Sequence, residues 1–152
     1  MNIATIHGPM PNSFESTSEI ALNSLKEALF DANYQLPNSF GKEEIVGGNL
    51  AIIYSLLGTN SDIDTKGKVL LLEDIGEYAY NIDRMIFALK KAGKFDGIKG
   101  LLMGQFSGIK DDDFGFSVQQ IIENCISEYE FPVQYDIPVG HVDDNRAVIL
   151  GA

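Results

Sequence analysis

Two short motifs in this chain carry residues suited to moving a proton. Leu72-Glu73-Asp74-Ile75-Gly76-Glu77 closes one apolar run, and Pro138-Val139-Gly140-His141 closes a later one. A carboxylate that accepts a hydrogen bond from one imidazole nitrogen fixes the tautomer and steadies the imidazolium. The other nitrogen is then free to take a proton from a nucleophile. Glu73 and His141 are therefore the candidate catalytic pair. His141 is one of only two histidines, and Pro138 and Gly140 restrict the backbone that presents it. The competing structural readings are a surface-loop histidine and a helix-capping or salt-bridged acid. No serine or cysteine sits in a recognisable nucleophile turn, so the residues describe part of an active site, as in one domain of a larger hydrolase.

Other polar clusters read as structural. His7 also follows a strand-like run, but Gly8-Pro9 beside it is ordinary turn chemistry. Asp74 and Glu77 flank Glu73 and, with His141, raise a metal-binding alternative. Their spacing matches no recognised ligand pattern, and acids ahead of a helix suit its positive end. Asp111, Asp112 and Asp113 lack the glycine and terminal glutamate of a calcium loop and read as a solvated turn. Gly47-Gly48-Asn49 has no following Lys-Ser/Thr, so a plain helix N-terminus is expected rather than a phosphate loop. Cys125, the single cysteine, lies on the apolar side of a helical pattern from Val118 to Ile126 and reads as a core residue. No motif calls for a metal or another cofactor.

The elements that must position these residues alternate. Ser16 or Thr17 can cap a helix to about Phe30, with Ile20, Leu22, Leu25, Ala28 and Leu29 as its buried side. Residues 31–41 form an irregular connection. Glu43–Val46 is a short strand before the glycine pair, and a helix runs through Leu50, Ile53 and Leu56-Leu57. Lys68–Leu72 is a continuous apolar strand of the kind buried on both faces. A helix from Asn81 or Ile82 to Ala92 follows and stops at Gly93. Ile98–Met103 and Pro132–Ile137 are further strands on either side of the Cys125 helix. Strands alternating with helices imply crossover connections, a mostly parallel sheet and one α/β domain over residues 1–152. Ligands gather at the carboxyl ends of such strands, where Glu73, the Gly104–Gly108 turn and His141 all fall. Strand-like runs at both limits, Asn2–Ile6 and Arg146–Leu150, give the expectation of a piece cut from a longer protein.

Composition narrows the partners. The chain has 152 residues, 45% hydrophobic and 22% charged, enough for one packed core. Its net charge of −11 opposes nucleic-acid binding, which needs clustered Lys and Arg. The densest basic stretch, Lys90-Lys91-Ala92-Gly93-Lys94, fits the last turn of a helix. No apolar stretch approaches a membrane span, and one cysteine excludes an internal disulfide, which favours a reducing cytoplasm.

Taken in order, several motifs resemble one family. They are Gly47-Gly48-Asn49-Leu50, Leu56-Leu57-Gly58-Thr59, Leu72-Glu73-Asp74-Ile75-Gly76-Glu77, and Tyr80-Asn81-Ile82-Asp83-Arg84-Met85. Ala92-Gly93, Gly104-Gln105-Phe106, Pro138-Val139-Gly140-His141, Asn145 and Leu150-Gly151-Ala152 follow. Nearly the whole chain resembles the C-terminal portion of an LD-carboxypeptidase (muramoyltetrapeptide carboxypeptidase), a family that includes the microcin C immunity peptidases. The resemblance implies a three-layer β/β/α domain of the swivelling type, with a parallel central sheet and a second, antiparallel one. It also implies a Ser-Glu-His serine peptidase in which Glu73 and His141 match the acid and the base. The nucleophilic serine would belong to an N-terminal domain upstream of Ile6-His7-Gly8-Pro9-Met10, so this chain alone is expected to be inactive. The implied substrate is a cytoplasmic muropeptide tetrapeptide that loses its terminal D-alanine during cell-wall recycling, and the implied assembly is a homodimer. The family gives Asp74 and Glu77 no assignable role. Two other readings remain at this point: a stand-alone binding module for peptidoglycan peptides, and an unrelated metal-dependent hydrolase using Glu73, Asp74, Glu77 and His141.

Overall fold

The computed structural model describes residues 3–31, 33–110 and 113–151. Asn2, Asp111, Asp112 and Ala152 from the sequence reading lie outside the described residues. In chain order the elements are β1 (Thr5–His7), a 3-10 turn (Pro11–Ser13), α1 (Glu19–Phe30), β2 (Ile45–Asn49), α2 (Leu50–Leu56) and β3 (Val69–Ile75). They continue with α3 (Ala79–Lys91), β4 (Gly100–Ser107), α4 (Val118–Ile126), β5 (Val133–Gln134) and β6 (Val148–Leu150).

The central sheet is parallel, in the order β2-β3-β4-β5. Strands added one after another in a single direction, each through a right-handed crossover, put every crossover helix on the same face. Side chains on that face confirm it, because Leu70, Leu72, Leu101 and Met103 share a core with residues of α2, α3 and α4. The alternate residues Val69, Leu71 and Leu102 point the other way. They pack with Leu36, Ile45, Ile137, Val139 and Val148 in a second cluster. Above that second face, β1 and β6 form a two-stranded antiparallel sheet with His7 opposite Val148. Helices, parallel sheet and small antiparallel sheet are the three layers implied by the family resemblance.

Local chemistry accounts for most boundaries. In α3, Ile82, Met85, Ile86 and Leu89 follow the i, i+3, i+4, i+7 spacing and are all buried. Burying each such side chain stabilises the fold by roughly 1.5–3 kcal/mol. The helix stops at Gly93, whose φ of 73° lets Lys94 N–H reach back to the Leu89 carbonyl. Lys90 in its last turn and Lys94 just beyond it are tethered, to Glu128 and Asp62 respectively. At α4, Ser117 and Gln120 each bond the other's backbone in a capping box.

Four sequence expectations shift. The cap of α1 is Ser18 rather than Ser16 or Thr17, because Ser18 N–H donates to the Asp143 carbonyl while its hydroxyl accepts from Ala21 N–H. The buried side of α1 consists of Ala21 and Ser24, whereas Ile20 and Leu29 are each 58% exposed. Small residues face inward there because Ala147 N–H comes close enough to donate to Ser24 Oγ at 2.8 Å. The glycine pair lies inside β2, and Asn49 alone caps α2 by accepting from Ile52 N–H. The fourth parallel strand shrinks to Val133–Gln134, since the chain beyond it bends along the end of β4 to form the site.

Candidate active site

Glu73 stands near the carboxyl end of β3, on the face covered by the small sheet, and is fully buried. Space for it comes from glycine. A Cβ on Gly104 would lie 2.9 Å from Glu73 Cβ and 2.6 Å from the Val139 carbonyl, and one on Gly140 would lie 3.1 Å from Glu73 Oε2. The register between β3 and β4 slips beside this position, from Leu72 opposite Met103 to Asp74 opposite Phe106. Glu73 on β3 thus faces both Gly104 and Gln105 on β4, a bulge that re-aims the strand end.

His141 is presented by a segment stitched to that bulge. Ile137 N–H donates to the Met103 carbonyl at 3.0 Å, and Gln105 N–H donates to the Val139 carbonyl at 2.7 Å. Gly140 N–H donates to Asn145 Oδ1 at 3.0 Å, and Ser107 Oγ donates to the His141 carbonyl at 3.0 Å. Ser107 is therefore a clamp on the histidine loop. His141 Nδ1 lies 3.2 Å from Glu73 Oε2, across 68 positions of sequence. An ionised carboxylate only accepts, so Nδ1 carries the hydrogen and Nε2 has the free lone pair. The His141 side chain is 41% exposed, at a cavity of about 730 Å³ lined by Ile6, Met10, Asn49, Ile52 and Asp143 beside the pair. The arrangement is an oriented base facing an open space.

His7 belongs to this site, contrary to the structural role expected from its Gly-Pro neighbours. Pairing of β1 with β6 carries its Nε2 to 3.8 Å from Glu73 Oε1, so one carboxylate stands between the two histidines of the chain. Burial lowers the His7 pKa below its ordinary value, against the pull of Glu73 and with the help of His141. A long-range antiparallel contact sets this position, and the only local signal was a histidine at a strand end beside a glycine, the pattern that also flags His141.

Asp74 points to a different task. Its carboxylate accepts from Asn49 Nδ2 at 2.9 Å, Ala51 N–H at 3.0 Å and Ile75 N–H at 2.8 Å. It ties the start of α2 to β3. Glu77 accepts from Asn81 Nδ2 on α3. These bonds engage Asp74 and Glu77 away from the Glu73–His141 pair, and no group of three or more His, Cys, Asp or Glu among the described residues is placed to hold a metal ion. Asp74→Ala is expected to strand three donors, two of them backbone, and to lower stability by about 2–4 kcal/mol. A urea titration reads this as a fall in the midpoint at unchanged slope. A loss under 0.5 kcal/mol would contradict the assigned tie.

Cys125 is half-buried, and burial raises its thiol pKa, as suits an inert packing residue. No helix among the described residues is long and apolar enough to cross a membrane.

A parallel sheet with helices on one face, and an acid–histidine pair near the strand ends on the other, define the class as a layered α/β domain. Residues 42–152 match the LD-carboxypeptidase C-terminal domain, and the chain belongs to that family. It is 31% identical to the Bacillus subtilis protein named "Probable murein peptide carboxypeptidase", over 99% of this chain and 52% of that protein. It is 24% identical to the murein tetrapeptide carboxypeptidase of Pseudomonas aeruginosa, over 95% and 53%. The crystal structure of muramoyltetrapeptide carboxypeptidase from Oxalobacter formigenes superposes with a TM-score of 0.83 at 26% identity, covering 99% of this chain and 56% of that one. The microcin C7 self immunity protein MccF shares the fold, with a TM-score of 0.83 at 16% identity over 99% of this chain and 56% of that one. This chain spans about half the length of the relatives it matches.

Proposed function

We propose that this chain is the base-bearing half of a serine LD-carboxypeptidase that releases the terminal D-alanine of muropeptide tetrapeptides. The observation that carries the reading is the 3.2 Å contact between buried Glu73 and exposed His141 at the mouth of the cavity. His141 Nε2 takes the proton of a serine hydroxyl as the oxygen attacks the scissile carbonyl, and Glu73 steadies the imidazolium through Nδ1–H. The proton then passes to the departing amine of D-alanine, and water resolves the acyl-enzyme by the same route. The nucleophile in this reading is a serine supplied from outside this chain, as the family resemblance implies, and the chain's matching about half the length of its relatives supports it. Serines near the pair have other engagements: Ser13 Oγ donates to the Met10 carbonyl, Ser16 Oγ to that of Ser13, and Ser107 Oγ to that of His141. The names of the Bacillus, Pseudomonas and Oxalobacter relatives support a murein peptide as substrate. We place the enzyme in the cytoplasm as a homodimer acting in cell-wall recycling.

The test is to supply muropeptide tetrapeptide to this chain and to the complete protein that carries it. The complete protein should release D-alanine, and this chain alone should release none above a His141→Ala control. Turnover by the isolated chain, or none by the complete protein, would overturn the reading.

A further inference from the structure

Glu73 is fully buried, and only one of its oxygens is satisfied. Oε2 meets His141 Nδ1, while Oε1 is buried without a hydrogen-bond partner among the described residues. A carboxylate in that position pays heavily in lost hydration unless both oxygens find donors. Among the described residues, no Lys or Arg lines the cavity. The groups facing Glu73 are His141, from the segment before β6, and His7 from β1; the exposed Asp143 adds only negative charge, and Asp74 is turned to α2. His7 Nε2 is the donor within reach of Oε1, at 3.8 Å. Closing to an N–H···O distance of about 3.2 Å takes a shift of about 0.6 Å, the difference between the two.

We infer that His7 is a positioning residue: its Nε2–H donates to Glu73 Oε1 and holds the carboxylate so that Oε2 stays on His141 Nδ1. Its backbone is fixed for the task. His7 pairs with Val148 across the small sheet, and Gly8 packs so closely on Ala147 that a Cβ there would lie 3.0 Å from Ala147 Cα. The opposite ring edge, Nδ1, faces Gly48. The value of this arrangement for catalysis rests on the peptidase reading above, but the hydrogen bond itself does not, so the two fail separately.

Two near-isosteric variants separate the ring edges. A glutamine amide nitrogen sits as many bonds from Cβ as His Nε2, and an asparagine amide nitrogen as many as Nδ1. His7→Gln therefore retains the donor to Glu73, whereas His7→Asn aims its donor toward Gly48. Imidazole tautomers of this chain are read by long-range proton–nitrogen NMR at about pH 8, above the ordinary histidine range. Expected are Nε2–H on His7 and Nδ1–H on His141 in the wild type, the same His141 tautomer in His7→Gln, and its loss in His7→Asn. In the complete protein, kcat should fall about 10- to 100-fold in His7→Asn with KM little changed, and His7→Gln should recover most of it. A His141 tautomer indifferent to His7→Asn, or equal loss in both variants, overturns the inference. Where His7→Asn fails to fold, the wild type decides, because an unprotonated His7 Nε2 refutes the bond outright. A tautomer change in His7→Asn without D-alanine release from the complete wild-type protein supports the positioning role and defeats the peptidase reading alone.

Discussion

His141→Ala in the complete protein is expected to lower kcat for D-alanine release about 10⁴- to 10⁶-fold, with KM changed by less than a few-fold. The size follows from the role. On the proposed peptidase reading, removing the base leaves a serine hydroxyl that must ionise unaided, while the surfaces proposed to bind the peptide are untouched. Glu73→Gln should fall nearly as far, about 10⁴-fold. The glutamine side chain fits the same pocket, but its amide can donate to His141 Nδ1 where the carboxylate only accepts. That favours the tautomer with hydrogen on Nε2, the nitrogen that needs its lone pair. Burial sharpens the effect, since Glu73 is fully enclosed and water cannot substitute for it. Single-turnover measurements with the tetrapeptide, beside circular dichroism to verify folding, are the check. A Glu73→Gln enzyme within tenfold of wild type would remove Glu73 from the proposed triad.

Gly47→Ala is expected to cost about 3–5 kcal/mol and to lower Tm by about 10–20 °C. A Cβ at this position would lie 2.1 Å from the Leu71 carbonyl oxygen and 2.9 Å from its nitrogen. The obstacle is the backbone of the central strand, which has no rotamer to change. The φ of +124° adds strain for any side chain. Gly48 supplies the internal control: its φ is +129°, but the nearest atom to an added Cβ is His7 Nδ1 at 3.6 Å. Gly48→Ala should therefore show the strain alone, about 1–3 kcal/mol. Thermal melts of the two variants measure the difference, and equal losses would refute the steric account.

Much of this organisation was legible in the residues. The apolar run of Lys68–Leu72 marked the central strand because a strand covered on both faces needs no alternation, and Glu73 stood out as the acid ending it. Pro138 and Gly140 marked a constrained segment before His141. What escaped notice depends on distant contacts. The antiparallel pairing of Thr5–His7 with Val148–Leu150 brings His7 to the carboxylate, and no window of sequence contains both strands. The innermost positions of α1 are small because another backbone approaches them, so Ala21 and Ser24 are buried, Leu22, Leu25 and Ala28 are half-buried, and Ile20 and Leu29 are exposed. The bulge in β4 likewise arises from the fit of Gly104 beneath Val139, a neighbour from the far side of α4. Gly47-Gly48 reads as a helix N-terminus because it precedes Asn49 and an apolar helical run, whereas the pair lies inside β2, where the close approach of Leu71 demands a glycine at position 47.

The apolar core built by α2, α3 and α4 lies on one side of the parallel sheet, and the two histidines lie on the other. Substitutions in α3 and α4 and substitutions around the cavity therefore act through nearly separate sets of neighbours, and their free-energy effects should combine independently. A lineage of such domains is free to alter what it recognises without first rebuilding what keeps it folded.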